Sequence, residues 1–336
     1  MTTSFDPSRL SMTEIIRLQT VLSQELTRRF ERHAALVFTD IVDSTAYFAQ
    51  FGDEAGRRLQ QLHFDLLERC LPPTDGRIVD TAGDGAFGIF ASADAAASAM
   101  TSLQNAVSVE NVDRPRVHQL CLRIGLHWGP VLTDGVQVTG DAVNLCSRLM
   151  STAVPGEVRL SRELFQQLGA RHRGVSHALP SVALKGLTRN VDVWALQWRD
   201  TNRFPSEVQI RETGQRIALP ARDTVAFGRG ETSEAAASLD VALTLPDAMA
   251  CKQISRRHFE LRSHPEGYVL RALSAQLTEV DGVAVERDRE APVRPGSCVR
   301  LAGVMTLDFV VPSRVAVSAV DETMVGPSAL PMGRSA

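Results

Sequence analysis

Phe38-Thr39-Asp40-Ile41-Val42-Asp43-Ser44-Thr45 ends a short apolar run, Ala34 to Phe38, on an acidic residue and then supplies small polar side chains that begin helices and turns. A strand that delivers a carboxylate to the mouth of a helix suits a metal and a phosphate chain together. The unpaired N–H groups of the helix face the phosphates, and the carboxylate holds a hard cation between them. Ile78-Val79-Asp80-Thr81-Ala82-Gly83-Asp84-Gly85-Ala86-Phe87 repeats the idea, with a Gly-Asp-Gly turn between two apolar runs. That pattern predicts a hairpin with a second carboxylate at its tip. Asp40 and Asp84, on neighbouring strand ends, can then share a pair of magnesium ions.

Outward from these two stretches, residues 34–200 alternate strand and helix patterns. Strands are expected at Ala35–Thr39, Gly76–Ala82, Ala86–Phe90, Leu120–Trp128 and Glu157–Leu160. Helices are expected at Ala46–Leu71, Ala93–Val107, Ala142–Ser151 and Arg162–Leu168. Strands mixed with helices, one pair of them in a tight hairpin, imply an α+β layer fold rather than a doubly wound sheet. Ahead of this region, in residues 1–33, Ile15, Leu18 and Leu22 form a helical stripe between charges. Such a helix either packs on its own domain or dimerises as a short coiled coil. From about Ser206 to residue 312 the texture changes to short runs without helical period, punctuated by turns, which predicts an all-β sandwich. The boundary falls near Asp200–Pro205, and the tail at 313–336, rich in Ser, Pro, Gly and Ala, reads as disordered.

At 336 residues the chain has length for two cores, and 44% hydrophobic with 22% charged residues is ordinary for a globular protein. A net charge of -3 points to neither nucleic acid nor an anionic membrane surface. Five scattered cysteines without a CxxC pair exclude a disulfide framework and a zinc knuckle. The first residues lack the basic and apolar regions of a signal peptide, and no apolar run reaches the ~20 residues of a membrane helix. The expected location is the cytoplasm.

Three further segments join the two Asp motifs. Leu122-Arg123-Ile124-Gly125-Leu126-His127-Trp128-Gly129-Pro130 is a strand entering a turn, and Asp141-Ala142-Val143-Asn144-Leu145-Cys146-Ser147-Arg148 puts Asn144 and Arg148 on one helix face. Leu184-Lys185-Gly186 precedes another strand. In this order and spacing, from about Ala34 to Trp198, the chain resembles the class III adenylate/guanylate cyclases. The resemblance implies a ferredoxin-like βαββαβ core and conversion of a purine nucleoside triphosphate, ATP or GTP, to a 3′,5′-cyclic nucleotide and pyrophosphate. It implies that Asp40 and Asp84 hold two Mg²⁺ or Mn²⁺ ions per active site. Arg148 would stabilise the transferring phosphoryl group, and Asn144 would orient the ribose. Lys185 would contact the triphosphate, with Ser44 and Thr45 at the helix mouth beside it. His127 is expected to be structural and Asp43 a helix cap. In this family each site forms between two modules, so a head-to-tail homodimer is implied.

Base choice in the family rests on two positions, here Asp80 and Gln137. A carboxylate at Asp80 can accept the N1–H and N2–H₂ donors of guanine, and the Gln137 amide can donate to guanine O6 or rotate to serve adenine. The charge logic leans towards GTP. The unusual pair also leaves a second reading, an inactive pseudocyclase that serves as a dimeric phosphopeptide-binding scaffold.

In the second region Gly228-Arg229-Gly230, Ser255-Arg256-Arg257-His258 and Ser274-Ala275-Gln276-Leu277-Thr278 resemble a forkhead-associated (FHA) domain. The resemblance implies phosphothreonine binding at loops on one end of the sandwich, through Arg229, Ser255, Arg256 and Gln276, with His258 as an internal brace. Gln276 stands where the family has Asn. A phosphothreonine protein or a Ser/Thr kinase is the implied partner. Thr323, flanked by acidic Asp321 and Glu322, is a candidate phosphorylated residue for such a domain.

Overall fold

The computed structural model describes residues 10–230 and 239–310. Thr323 lies outside them. Helix α1 (Met12–Phe30) opens on a capping box in which Ser11 accepts from the Glu14 backbone and Glu14 reaches back to Ser11. It buries none of its residues, and Ile15, Leu22 and Leu26 of its stripe stay exposed. Strand β1 (Glu31–Ile41) follows without a break, so the helix ends at Phe30. The strand exceeds the expected Ala35–Thr39 because β4 (Leu122–Thr133) pairs with it from Glu31↔Leu132 to Ile41↔Leu122. Cross-strand pairing carries even its exposed, charged beginning.

Between those strands lie α2 (Ser44–Cys70), β2 (Arg77–Ala82), β3 (Gly85–Phe90) and α3 (Ala93–Asn111). The order βαββαβ is the ferredoxin-like core. After β4 come β5 (Val138–Thr139), α4 (Asp141–Ser151), β6 (Val158–Ser161), α5 (Arg162–Gln167), α6 (Ala170–Gly174), β7 (Ser176–Val182) and β8 (Val191–Leu196). The sheet runs β2-β3-β1-β4-β6-β8-β7, with β5 on β4. Period-two alternation gives β1 two buried faces. Ala35, Val37 and Ile41 pack with α2 and α3, while Ala34 and Leu36 face Phe87, Val131 and α4. Helix α3 lies close to the sheet because its inner face is mostly alanine, with Ala96, Ala97 and Ala99 fully buried.

The second body is a two-sheet sandwich. Its strands are β9 (Glu207–Ile210), β10 (Arg216–Ala218), β11 (Thr224–Arg229), β12 (Val241–Leu243), β13 (Phe259–His264), β14 (Gly267–Ala272), β15 (Thr278–Val280), β16 (Val283–Ala284), β17 (Glu290–Val293), β18 (Cys298–Leu301) and β19 (Met305–Val310). One sheet runs β10-β9-β19-β18-β15-β16 and the other β12-β11-β13-β14-β17. A short helix, α7 (Ala248–Gln253), joins β12 to β13. Phe227, Phe259 and Phe309 fill the core between the sheets.

The two bodies are joined by a polar seam. Asp223 accepts from Arg199 Nη2 (2.6 Å), Ser108 Oγ (2.6 Å) and Asn111 Nδ2 (2.7 Å). The Arg199 guanidinium sits over the rings of Trp198 and Phe204 and donates to the Tyr268 hydroxyl. Arg116 Nη2 meets Asp240 at 2.7 Å. Gly156, at φ +80°, is pressed so close that a Cβ there would lie 1.8 Å from the Ala221 carbonyl oxygen. Among the described residues no helix is long and apolar enough to cross a membrane.

Candidate active site

Asp40 leaves the end of β1, and Asp84 sits in the turn between β2 and β3. The register Thr39↔Ala86 puts the two aspartates on adjacent strand ends, and a Cβ on Gly85 would come within 3.8 Å of Asp40 Oδ1. Burial pushes the Asp40 carboxyl above its ordinary range; Arg123 opposes this and the nearby Asp84 charge adds to it. Arg123, directly opposite on β4, donates to Asp40 Oδ2. Asp84 Oδ2 is buried with no hydrogen-bond partner. A buried carboxylate oxygen without a donor, beside a second carboxylate whose charged form is disfavoured, suits a hard divalent cation.

Helix α2 holds this pair from behind. His63 is fully buried, and its Nδ1 lies 3.0 Å from the Asp84 carbonyl oxygen, which can only accept. Nδ1 therefore carries the proton, and Nε2 accepts from the Thr39 hydroxyl at 3.0 Å. Burial holds the ring neutral, with its pKa down to about 4. Gln60, one helical turn earlier, donates to the Gly83 carbonyl. One helix thus fixes both the strand that carries Asp40 and the hairpin that carries Asp84.

The same helix begins four residues after Asp40. It starts at Ser44, two residues earlier than the periodicity alone suggests. Asp43 holds the N-cap position at φ +56°, but its side chain makes no capping bond. The N–H groups at Ser44 and Thr45 therefore have no side-chain cap.

Asn144 and Arg148 are on α4, which turns Ala142, Cys146 and Leu149 to the sheet and leaves these two exposed. The thiol of Cys146, 3.3 Å from the Leu36 carbonyl oxygen, anchors the helix on β1. Gly186, at φ +83°, lies against the Arg148 guanidinium, with a Cβ position 3.2 Å from Nη1. That turn carries Lys185, so Arg148 and Lys185 come together. Asp80 and Gln137 are both exposed. Arg77 Nη1 donates to the Val136 carbonyl at 3.2 Å and draws their two segments towards each other. Among the described residues no hydrogen bond or ion pair links the Asp40–Asp84 pair to Asn144, Arg148 or Lys185.

At one end of the sandwich, the Arg229 N–H donates to the Ser255 carbonyl at 3.0 Å, and Arg229 Nη1 donates to the Lys252 carbonyl at 2.8 Å. Ser255 Oγ pairs with Ser274 Oγ at 2.7 Å, and Ser274 Oγ accepts from the Gln276 N–H at 2.9 Å. His258 Nδ1 accepts from the Ser255 N–H at 3.2 Å and braces the loop. Gly228 makes room for it, since a Cβ there would lie 2.0 Å from the Arg256 carbonyl oxygen. Arg256 and Gln276 are exposed.

The family described as "Adenylate and Guanylate cyclase catalytic domain" matches residues 28–197, and the family described as "FHA domain" matches residues 210–302. The chain belongs to the adenylate and guanylate cyclase family. Its cyclase domain is followed by an FHA domain. Similar curated proteins include "Putative adenylate cyclase 3" of Rhizobium meliloti (strain 1021), 26% identical over 205 residues, which are 61% of this chain and 34% of that protein. "Serine/threonine-protein kinase pkn2" of Myxococcus xanthus is 26% identical over 168 residues, 49% of this chain and 20% of that protein. The chain therefore spans about a third or less of the length of these relatives. Among solved structures, the adenylate/guanylate cyclase/hydrolase from Silicibacter pomeroyi is 26% identical over 49% of this chain and 96% of that one, with a TM-score of 0.45.

Several residues that shape the cyclase site and the FHA loops escaped the sequence reading. His63 and Gln60 sit in an ordinary amphipathic helix, where a histidine on the inner face looks like core. Arg123 was visible within its motif, but only strand register aligns it with Asp40. Ser274 lay in the quoted FHA stretch, two residues before the substituted Gln276, and it proves to be the serine that links Ser255 to that loop.

Proposed function

We propose that the cyclase domain converts ATP or GTP to a 3′,5′-cyclic nucleotide and pyrophosphate, in a head-to-tail homodimer with two equivalent sites. The observation that carries this reading is the buried, partnerless Asp84 oxygen beside Asp40, with the uncapped start of α2 four residues further along the chain. Asp40 and Asp84 would hold two Mg²⁺ or Mn²⁺ ions. When bound, such ions promote ionisation of the ribose 3′-hydroxyl and neutralise the triphosphate for in-line attack on the α-phosphorus. Ser44 and Thr45 offer helix N–H groups to the phosphates.

Asn144 and Arg148 of the partner subunit complete the site. The permanently charged, planar guanidinium stabilises the equatorial oxygens of the transferring group, Asn144 orients the ribose, and Lys185 meets the triphosphate. The outward position of Asn144 and Arg148 in the single chain supports the dimer. So does the incompletely buried apolar group Phe38, Val79, Ile89 and Val143 on the same side of the sheet. Asp80 and Gln137 would read the base, with the carboxylate favouring guanine. The FHA domain binds a phosphothreonine peptide through Arg229, Ser255 and Arg256, with Gln276 beside them, and links the cyclase to Ser/Thr kinase signalling.

The test is product formation by purified protein given ATP or GTP with Mn²⁺, beside an Asp40→Ala control. Cyclic GMP that disappears in the control supports the whole reading. Cyclic AMP keeps the enzyme and overturns the guanine preference. No product from either nucleotide, with a phosphothreonine peptide present or absent, turns the assignment to the dimeric scaffold.

A further inference from the structure

Asp80 and Gln137 lie on different elements, so a base they read together depends on what holds those elements at one spacing. Asp80 sits on β2 just past a break in the ladder. Arg77 pairs with Ile89 and Ile78 with Gly88, but Asp80, not Val79, pairs with Phe87. The extra residue is a β-bulge, and it re-aims the strand. Without it Arg77 and Asp80, an odd number of residues apart, would point to opposite faces. With it both share the face of Phe87 and Ile89, because residues directly opposite across a ladder lie on the same side. The Asp80 carboxylate is also fixed, with Oδ1 accepting from the Thr81 N–H at 2.8 Å.

Gln137 closes the turn between β4 and β5, and one side chain organises its backbone. Asp134 Oδ1 accepts from the Val136 and Gln137 N–H groups, both at 2.9 Å. These two donors hold the Asp134 carboxyl below its ordinary range, so it is ionised at neutral pH. Gly135 turns at φ +95°, with its N–H on Thr133 Oγ1 at 3.1 Å. Val138, the next residue after Gln137, packs on the cluster that also holds Phe87, Ile89 and Val79. Both segments therefore lie over one face of the sheet. Arg77 spans them, with Nη1 donating to the Val136 carbonyl at 3.2 Å. That carbonyl and the Gln137 N–H belong to one planar peptide unit. Asp134 holds the unit by its N–H and Arg77 holds it by its oxygen.

We propose that Arg77 and Asp134 are positioning residues for base choice: they clamp the Val136–Gln137 peptide unit and so hold the Gln137 amide in fixed relation to the Asp80 carboxylate. This inference rests on the assignment of Asp80 and Gln137 as the base-reading pair. A guanine edge presents its N1–H and N2–H₂ donors beside the O6 acceptor, so a carboxylate and an amide that meet it together must be matched in spacing. An amide on a loose turn can shift or rotate to serve either purine, and discrimination falls. The clamp thus supplies selectivity without either residue having to touch the base.

The experiment compares the affinities of the full chain for 3′-deoxy-GTP and 3′-deoxy-ATP, each with Mn²⁺, by calorimetric titration. Both analogues lack the attacking hydroxyl, so binding is read without turnover. The readout is the ratio of the two affinities. Loss of the Arg77 charge weakens both triphosphates alike and cancels in that ratio, whereas a displaced Gln137 does not cancel. Gln137→Ala sets the direction. Arg77→Met and Asp134→Ala should each move the ratio the same way as Gln137→Ala, by about fivefold, the worth of one hydrogen bond. Asp134→Asn keeps an acceptor oxygen and should return most of the parent ratio. In a Gln137→Ala background neither change should move the ratio further, because both act through that side chain. The proposal is overturned if Gln137→Ala shifts the ratio while Arg77→Met and Asp134→Ala leave it at the parent value. It is equally overturned if their effects persist at full size without Gln137. A Gln137→Ala ratio equal to the parent's refutes the base-reading assignment itself, and a parent that binds neither analogue refutes the nucleotide site; the clamp falls with either. If Arg77→Met does not fold, Asp134→Ala decides alone.

Discussion

His63→Leu replaces a fully buried ring by a side chain of similar bulk, so its main effect is on two hydrogen bonds. The Thr39 hydroxyl loses its acceptor and the Asp84 carbonyl loses its donor. Each bond contributes about 1 kcal/mol net, and a buried group left unpaired costs about 1–3 kcal/mol. The expected destabilisation is about 2–4 kcal/mol, read from urea denaturation of the metal-free protein at about pH 7.5. The pH dependence gives an independent check. The folded pKa is about 4 against an ordinary 6.5, so the unfolded chain binds the extra proton between those values. This contribution is fully present above 6.5 and is lost as pH falls towards 4, at up to about 1.4 kcal/mol per pH unit. By about pH 5 the advantage of the parent over His63→Leu should have shrunk by about 2 kcal/mol. A variant within about 0.5 kcal/mol of the parent at pH 7.5, or a difference that stays flat to pH 5, refutes the clasp. The variant should also need more Mn²⁺ for half-maximal binding, because only the Gln60–Gly83 bond and the β1–β3 pairing then fix Asp84 relative to Asp40.

Gly156→Ala drives a methyl group into the Ala221 carbonyl at a positive φ, so the domains must separate locally. Limited proteolysis should cut faster between residues 199 and 206 while the FHA fragment stays folded; equal rates in the parent and the variant count against a fixed seam. Asp223→Ala leaves the Arg199 guanidinium, 6% exposed, without its carboxylate, and should cost about 3–5 kcal/mol in thermal or urea unfolding. Asp223→Asn should recover part of that loss through its remaining acceptor. Mixing inactive Asp40→Ala with inactive Arg148→Ala tests the shared site directly. Half the re-associated dimers are mixed and each has one intact site of two, so activity should return to about a quarter of the parent. Activity that stays at zero while mixed dimers form shows that the half-sites belong to one chain.

The parts of this protein that could be read from sequence are those whose signal is local. Asp40 and Asp84 each end a short apolar run at a turn, and such a pattern needs only ten residues to be seen. Asn144 and Arg148 needed only a helical spacing. The alternating runs after residue 206 marked the second, all-β body, although β9, β12, β15 and β17 are too short or too mixed to stand out. His63, Arg123 and Asp223 gave no such signal, because each acts on a residue 20 or more positions away, on another element. Register alone puts Arg123 opposite Asp40, and packing alone brings His63 under two strand ends.

The same contrast separates a site from its control. Carboxylates, a helix mouth and a basic helix face are short-range features, and a chain can retain them as a unit. What sets their spacing is long-range: α2 pins Asp40 and Asp84 together through His63, while its first turns form one wall of the domain seam. Any movement of the FHA domain on the cyclase domain must pass Arg199, Asp223 and Gly156 before it reaches α2. Buried ion pairs and a backbone contact that admits only glycine are stiff, and their cyclase-side partners Ser108 and Asn111 lie on α3, so such movement would reach α2 through α3, on which it packs, rather than be absorbed locally. The separation of Asp40 from Asp84 should therefore respond less to the FHA domain than the tilt of the α2 mouth does. Perturbing the seam should then change the affinity for the triphosphate more than the affinity for Mn²⁺ alone. Paired titrations of Mn²⁺ and of Mn²⁺–nucleotide on Gly156→Ala measure the two separately, and equal losses in both would show that the seam acts on the aspartates themselves.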